Sequence, residues 1–220
     1  MSFPSNVFKK AVEEAKRRSK KRGFLQSIEF IAKIRDIDFK SPENRINRTI
    51  ALPNPPKNRR NKICVIASGD LALKAKKIGV DLVIGKEELE ELAANRKKAK
   101  KISKEYDFFL AQTDLMPLIG RILGRYLGPK GKMPIPITLG SDISGIIERL
   151  RKSIRVRIRN QPQLMCRVGD EQQSDKEIVE NIETIVEALG NKIKFPQNYE
   201  KMYIKLTMGP PIRINIGEKK

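Results

Sequence analysis

Hydrophobic positions along this chain hold one period for a stretch and then change it, three times over. From Ser5 to Arg18 they recur as Val7/Phe8, Ala11/Val12 and Ala15, the spacing of an amphipathic helix, with Ser5 or Asn6 placed to cap it. Gly23 can end that helix after Lys20, Lys21 and Arg22. Strict alternation follows. Phe24, Gln26, Ile28, Phe30, Ala32 and Ile34 share one face of a predicted strand, and Leu25, Ser27, Glu29, Ile31, Lys33 and Arg35 share the other. Residues 45–52 read as a second strand, closed by Pro53-Asn54-Pro55-Pro56.

The middle block has another rhythm. Apolar strands are predicted at Ile63–Ala67, Leu82–Ile84, Phe108–Ala111 and Ile135–Leu139. Helices at Leu71–Ile78, Lys86–Lys101, Leu115–Leu123 and Ile143–Lys152 fall between and after them. Strands alternating with helices in this way predict a parallel sheet. Alternation then returns at Ile154–Asn160. An amphipathic helix spans 175–189, and Lys201–Thr207 and Ile212–Ile216 read as strands split by Gly209-Pro210-Pro211.

Short strands at the two ends cannot make a stable sheet separately. The pattern therefore predicts an α/β chain of two domains. One is a discontinuous α+β domain, an antiparallel sheet with helices built from both termini (1–61 and 153–220). The other is an inserted, Rossmann-like parallel α/β domain (62–152). The joins fall near Arg59–Lys62 and Lys152–Ile154, two adjacent crossings that would act as a hinge.

Charge sharpens the picture. The chain carries 46 Lys+Arg against 26 Asp+Glu, a formal net charge of +20 at pH 7. Solubility of a small domain needs only about 2–8, so a polyanion partner is expected, nucleic acid ahead of a membrane surface. No apolar run approaches the ~18–20 residues of a membrane span, and the first residues show no signal pattern. Cys64 and Cys166 are too few for a disulfide scaffold and fit a reduced, cytoplasmic setting. The chain has no histidine, which removes the commonest general base and metal ligand. No catalytic residue, metal site or cofactor is assigned.

Several clusters have two readings. Gly120–Pro136 predicts a short helix entering a basic loop, with Arg121, Arg125, Lys130, Gly131 and Lys132 and no acid. It fails the phosphate-loop pattern, which would need Gly at Tyr126 and Ser or Thr at Met133. Ser68-Gly69-Asp70 follows the first parallel strand with one glycine where a dinucleotide fold carries three. Arg155, Arg157 and Arg159 alternate at intervals of about 6.6–6.8 Å, suiting RNA contact or support of acids such as Glu29 equally. The lysines of 96–104 read first as a solvated helix end favoured by the C-terminal dipole, and second as a source of non-specific RNA attraction. Asp170, Glu171, Asp175, Glu177, Glu180, Glu183 and Glu187 stand against Lys176 alone, and that acidic helix surface is expected to face away from nucleic acid. Thr207-Met208-Gly209 could be a tight turn or a flat surface for an RNA minor groove, and both readings stand at this point.

Leu127-Gly128-Pro129-Lys130-Gly131-Lys132-Met133-Pro134, Thr207-Met208-Gly209-Pro210, Arg213-Ile214-Asn215 and the split-domain layout together resemble the large-subunit ribosomal protein L one (stalk protein) family. Residues 41–54 are similar to its archaeal and eukaryal branch. The resemblance implies a ribosomal RNA-binding domain made of both termini and a hinged inserted domain near exit-site tRNA. It implies RNA contacts at Phe24, Ser27 and Glu29 on the first strand and at Thr207, Met208 and Gly209. Ser27 stands where bacterial members have Thr, and Met165 or Cys166 where they have a contacting His. Charge adds Arg22 and Lys205 as phosphate partners.

The expected function is thus a non-catalytic constituent of the large ribosomal subunit, cytoplasmic and ribosome-associated, monomeric when free. Its partners would be large-subunit ribosomal RNA, its own mRNA as a translational repressor, and exit-site tRNA, with no membrane and no small-molecule substrate. The alternatives are a nucleotide-dependent enzyme using the α/β domain and a basic scaffold for acidic proteins. Limited proteolysis is expected to cut at the two joins and release a fragment near 62–152. Cleavage mainly inside that block would contradict the domain plan.

Overall fold

The computed structural model describes residues 3–56 and 60–215. Arg59 and Ile216, which bound a join and a strand in the sequence reading, lie outside the described residues, as do Met1 and Ser2. By internal contacts the chain divides into two compact units, Met1–Arg59 with Lys152–Lys220, and Arg60–Arg151.

Helix α1 (Ser5–Arg18) opens the first unit and buries Phe8, Ala11, Val12 and Ala15. Its N-cap is Pro4, and neither Ser5 nor Asn6 caps it: the helix begins one residue earlier than a side-chain cap would need. Strands β1 (Ser27–Ile34) and β2 (Ile46–Ala51) follow.

The second unit then runs β3 (Ile63–Ile66), α2 (Gly69–Ile78), β4 (Leu82–Ile84), α3 (Lys86–Ala94), α4 (Arg96–Glu105), β5 (Phe108–Gln112), α5 (Met116–Leu127), β6 (Ile135–Ile137) and α6 (Ile143–Arg151). Its sheet is parallel with order β4-β3-β5-β6. β3 is buried along its whole length, which is why it reads as a continuous apolar run. One helix over 86–101 is expected from the pattern, but Asn95 divides it. The Asn95 Oδ1 accepts the Lys98 N–H at 3.0 Å, so a polar side chain competes with the backbone and starts a new helix. The carboxyl ends of β3 and β5 are tied together, because the Ser68 N–H and hydroxyl both donate to Gln112 Oε1 at 3.1 Å.

The chain returns to the first unit through β7 (Ser153–Ile158), β8 (Gln163–Asp170), α7 (Asp175–Leu189), β9 (Tyr199–Leu206) and β10 (Ile212–Ile214). The main sheet has the order β10-β9-β1-β8, antiparallel at each pairing. A second, two-stranded sheet joins β2 to β7. Ile28, Phe30, Ala32 and Ile34 of β1 turn inward with Met202, Ile204 and Leu206 of β9 and form one core with Phe8, Ile178 and Ile182 of the helices. The ammonium of Lys16 on α1 donates to Asp175 Oδ1 and to the Gln173 carbonyl, both at 2.6 Å, joining α1 to the start of α7.

The first unit holds the departing chain firmly. Fully buried Asn181 on α7 accepts the Asn54 N–H at 3.0 Å and donates to the Asn54 and Val168 carbonyls at 2.6 and 2.8 Å. Every hydrogen-bonding atom of that amide is used. Asn181→Ala is expected to lower unfolding stability by about 1–3 kcal/mol, the cost of leaving the Asn54 backbone unpaired. A denaturant titration would read it, and an unchanged midpoint would mean that Gln173, which also donates to the Asn54 carbonyl, holds this segment alone.

Candidate nucleic-acid interface

One polar edge of the first unit gathers the predicted residues from both ends of the chain. β1 begins at Ser27 where β9 ends at Leu206, so Thr207 lands beside Ser27. The Thr207 N–H donates to the Ser27 carbonyl at 3.0 Å. Its hydroxyl accepts the Ser27 N–H at 3.1 Å and lies 3.3 Å from the same carbonyl. The Thr207-Met208-Gly209 turn is folded inward at every amide: Met208 N–H donates to Gln26 Oε1 at 3.1 Å and Gly209 N–H to the Leu206 carbonyl at 3.0 Å. The turn's amides are therefore spent inside the protein, leaving its hydroxyl and carbonyl oxygens as the polar atoms it presents.

Gly209 is needed for approach rather than for a left-handed conformation. A Cβ there would stand 3.3 Å from Leu206 Cβ and Ser19 Oγ, tighter than an ordinary contact.

Gln26 is the hub of this edge, and the sequence analysis assigned it no role. It is fully buried. Its Nε2 reaches Ser19 Oγ and the Lys20 carbonyl at 3.1 Å and Glu171 Oε2 at 3.3 Å, while its backbone N–H donates to Glu171 Oε1 at 3.2 Å. One amide thus joins the end of α1, the loop after β8 and the Met208 turn. The signal was available: a glutamine occupies a position that alternation assigns to the core, and a buried amide must find partners. Asp170 and Glu171 therefore belong to this edge, against the expectation that the acidic stretch faces away: Asp170 pairs with Ser27 across the sheet.

Below the turn the outward face of the sheet continues in rows set by strand register. Glu29 lies between Arg167 and Lys205, Ile31 between Met165 and Tyr203, and Lys33 between Gln163 and Lys201. A bulge on β8 between these registers lets Val168 and Gly169 both face the core, so that Arg167 comes opposite Glu29. A shallow hollow of about 490 Å³ includes Ile31, Lys33, Gln163, Lys201 and Tyr203 in its lining. Met165 is half-exposed and Cys166 buried, so only Met165 faces a partner. Burial, with a smaller contribution from Glu29, pushes the Cys166 thiol up to about 12.

Other placements differ from the sequence reading. Phe24 lies in the connection before β1, not on the strand, and is exposed rather than on the core face; Arg22 lies in the same connection. Lys205 lies on the outward face, its ammonium 3.2 Å from the Thr207 carbonyl and 4.0 Å from Glu29. These contacts tie it to the turn and to Glu29. Arg155 and Arg157 pair with Thr49 and Asn47 of β2, away from the register neighbours of Glu29. The basic loop belongs to the second unit. Arg121 and Arg125 are exposed on α5, and Gly131 takes a positive φ of 68°. Lys130 donates to Ser103 Oγ at 2.7 Å, and Lys132 donates to the Tyr106 carbonyl.

Comparison with known proteins gives this arrangement its class. Residues 12–210 match the Ribosomal protein L1p/L10e family. The chain is 49% identical to the large ribosomal subunit protein uL1 of Thermofilum pendens over 196 residues, covering 89% of this chain and 87% of the relative. It is 45% identical to that of Pyrobaculum arsenaticum over 213 residues, covering 97% and 95%. For that of Methanothermobacter thermautotrophicus the identity is 46% over 205 residues, covering 93% and 96%. The chain belongs to the L1p/L10e family of ribosomal proteins, on the branch that residues 41–54 resemble. That membership removes the enzyme alternative.

Gln26→Leu is expected to leave the Met208 N–H and the Lys20 carbonyl short of partners and to cost about 1–3 kcal/mol of stability. Deuterium exchange at the Met208 amide should speed up. An unchanged exchange rate would show that the turn holds its shape without Gln26.

Proposed function

We propose that this chain is a constituent of the large ribosomal subunit that binds ribosomal RNA through the Ser27–Thr207 edge. The observation that carries the reading is the Gln26 network, which fixes that edge before any partner arrives. A rigid patch avoids the entropy of ordering loops on binding. The Ser27 and Thr207 hydroxyls suit 2′-hydroxyls, and the glycine at 209 keeps the turn flat against a minor groove. Glu29 carries the sign of the discrimination. A carboxylate repels phosphate, so it must face a donor, either a 2′-hydroxyl or a base amino group. Arg22 and Arg167 supply surrounding attraction, and exposed Phe24 and Met208 supply apolar contact at the ends.

The finer reading extends this. The first unit is the RNA-binding domain, and the second is a Rossmann-like domain hinged to it at the two crossings near residues 60 and 152. The chain works as a monomer in the cytoplasm on the ribosome, where the second domain lies near exit-site tRNA. A messenger that folds into the same RNA shape would occupy the same edge, giving repression of its own translation.

Thr207→Val is expected to weaken binding to the ribosomal stalk RNA by about 1–3 kcal/mol, with Thr207→Ser restoring most of it. A gel-shift titration at two salt concentrations, against a scrambled RNA of equal length, reads both selectivity and the effect of the variant. Equal affinity of the wild-type chain for the two RNAs, lost together in salt, would leave only a generic polycation.

A further inference from the structure

The break at Asn95 changes the meaning of the lysine-rich run that follows it. As the tail of one long helix, these cations would sit at the favourable negative end of its dipole. Instead Arg96, Lys97 and Lys98 form the first turn of α4, which holds no acidic residue there. Cations at that end oppose the dipole. Lys97 and Lys101, and likewise Lys100 and Lys104, are four residues apart on this helix, where like charges also repel.

The acid of the helix offsets this only in part, through the attraction of Lys101 for Glu105. α3 supplies Glu87, Glu88, Glu90 and Glu91 just before the break, yet among the described residues Lys97, Lys100, Lys101 and Lys104 form no ion pair. The one acid of α4, Glu105, pairs with Lys62 at 3.0 Å. A fifth ammonium arrives from elsewhere. Lys130, in the loop after α5, is brought to the helix by its 2.7 Å hydrogen bond to the buried Ser103 hydroxyl. Desolvation first, and then Lys104 and Lys100, holds that ammonium below the usual lysine range, a sign of how closely the three approach.

We infer that α4 and Lys130 form a second nucleic-acid surface, a sequence-independent site for the phosphates of double-stranded RNA. The stripe from Lys97 to Lys104 runs about 10 Å along the helix at a 1.5 Å rise per residue. A duplex presents on the order of one negative charge per 1.7 Å of its axis, so the stripe meets several phosphates together. An acidic protein fits less well. Protein interfaces centre on apolar and aromatic anchors, and α4 exposes no large hydrophobic side chain. The choice of RNA as the anion rests on the function proposed above; the unpaired charge does not.

The test uses the full chain and a random-sequence RNA duplex that lacks the stalk junction. The variant Lys97→Gln/Lys101→Gln/Lys104→Gln keeps good helix formers and leaves the Lys130–Ser103 bond in place. Expected are an affinity at low salt at least tenfold weaker and a log–log salt slope shallower by about 2, at roughly 0.7–0.9 per phosphate contact. Thr207→Val should leave both unchanged. Wild-type affinity and slope in the triple variant would overturn the inference. So would competition by polyglutamate as effective as competition by the duplex, since the surface would then be a site for acidic proteins. Loss of selectivity for stalk RNA would sink the proposed function separately, because it is read from the stalk-to-scrambled ratio and not from duplex binding.

Discussion

Strand β1 has no partner nearby in sequence. Its neighbours, β8 and β9, begin more than a hundred residues later, and its inward residues Ile28, Phe30, Ala32 and Ile34 have no core until those strands arrive. This pairing governs the rest. The intervening chain must leave the first unit and come back, so the parallel sheet stands as a separate unit with its own cores. It also brings Ser27 and Thr207, 180 positions apart, within one hydrogen bond. The candidate interface exists only once the non-local sheet is complete, which couples RNA recognition to the slowest class of contact in folding.

Pairing alone would not make that edge rigid. Strand ends fray, and a turn such as Thr207-Met208-Gly209 could move. Gln26 prevents this by putting a buried amide among three segments, in surroundings where each hydrogen bond is strengthened by low polarizability and each vacancy is costly. Lys205 acts similarly from the outer side, half-buried between Glu29 and the Thr207 carbonyl. Specific recognition in this reading is done largely by groups with fixed positions, and the charges that fix them are spent inside the protein.

How much of this the sequence displayed depends on the range of the interaction. The amphipathic helix at 175–189 and the short strand Leu82–Ile84 could be read to the residue, because periodicity is local. β8 was missed although Leu164, Cys166 and Val168 alternate. Its bulge blurs the period where the strand ends, and Gly169-Asp170 reads as a turn although both residues still belong to the strand. The single long helix failed at Asn95, where one side-chain hydrogen bond outweighed a continuous favourable propensity. Ser27, Glu29, Thr207, Met208 and Gly209 came from motif resemblance, and the structure brings them to one edge. Gln26 was marked by alternation as a polar residue on the core face, but its partners, like the place of Arg167 opposite Glu29, needed the register. The charge of Lys205 is visible in the sequence, but its contacts with Glu29 and the Thr207 carbonyl are not.

The distribution of charge separates two kinds of work. In the first unit several cations are committed to partners within the protein: Lys16 to Asp175, Lys33 to Glu200, Lys205 to Glu29 and Thr207. Such pairs hold shape and contribute little long-range field. On α4 the cations are uncommitted and crowded, which works against the helix and is useful only toward an anion. Long-range attraction discriminates poorly between RNAs but raises encounter rates, whereas a neutral, prepaid hydrogen-bonding edge discriminates well but acts only at contact. A chain that carries the two on different units can vary its overall grip on RNA without disturbing the geometry that selects it.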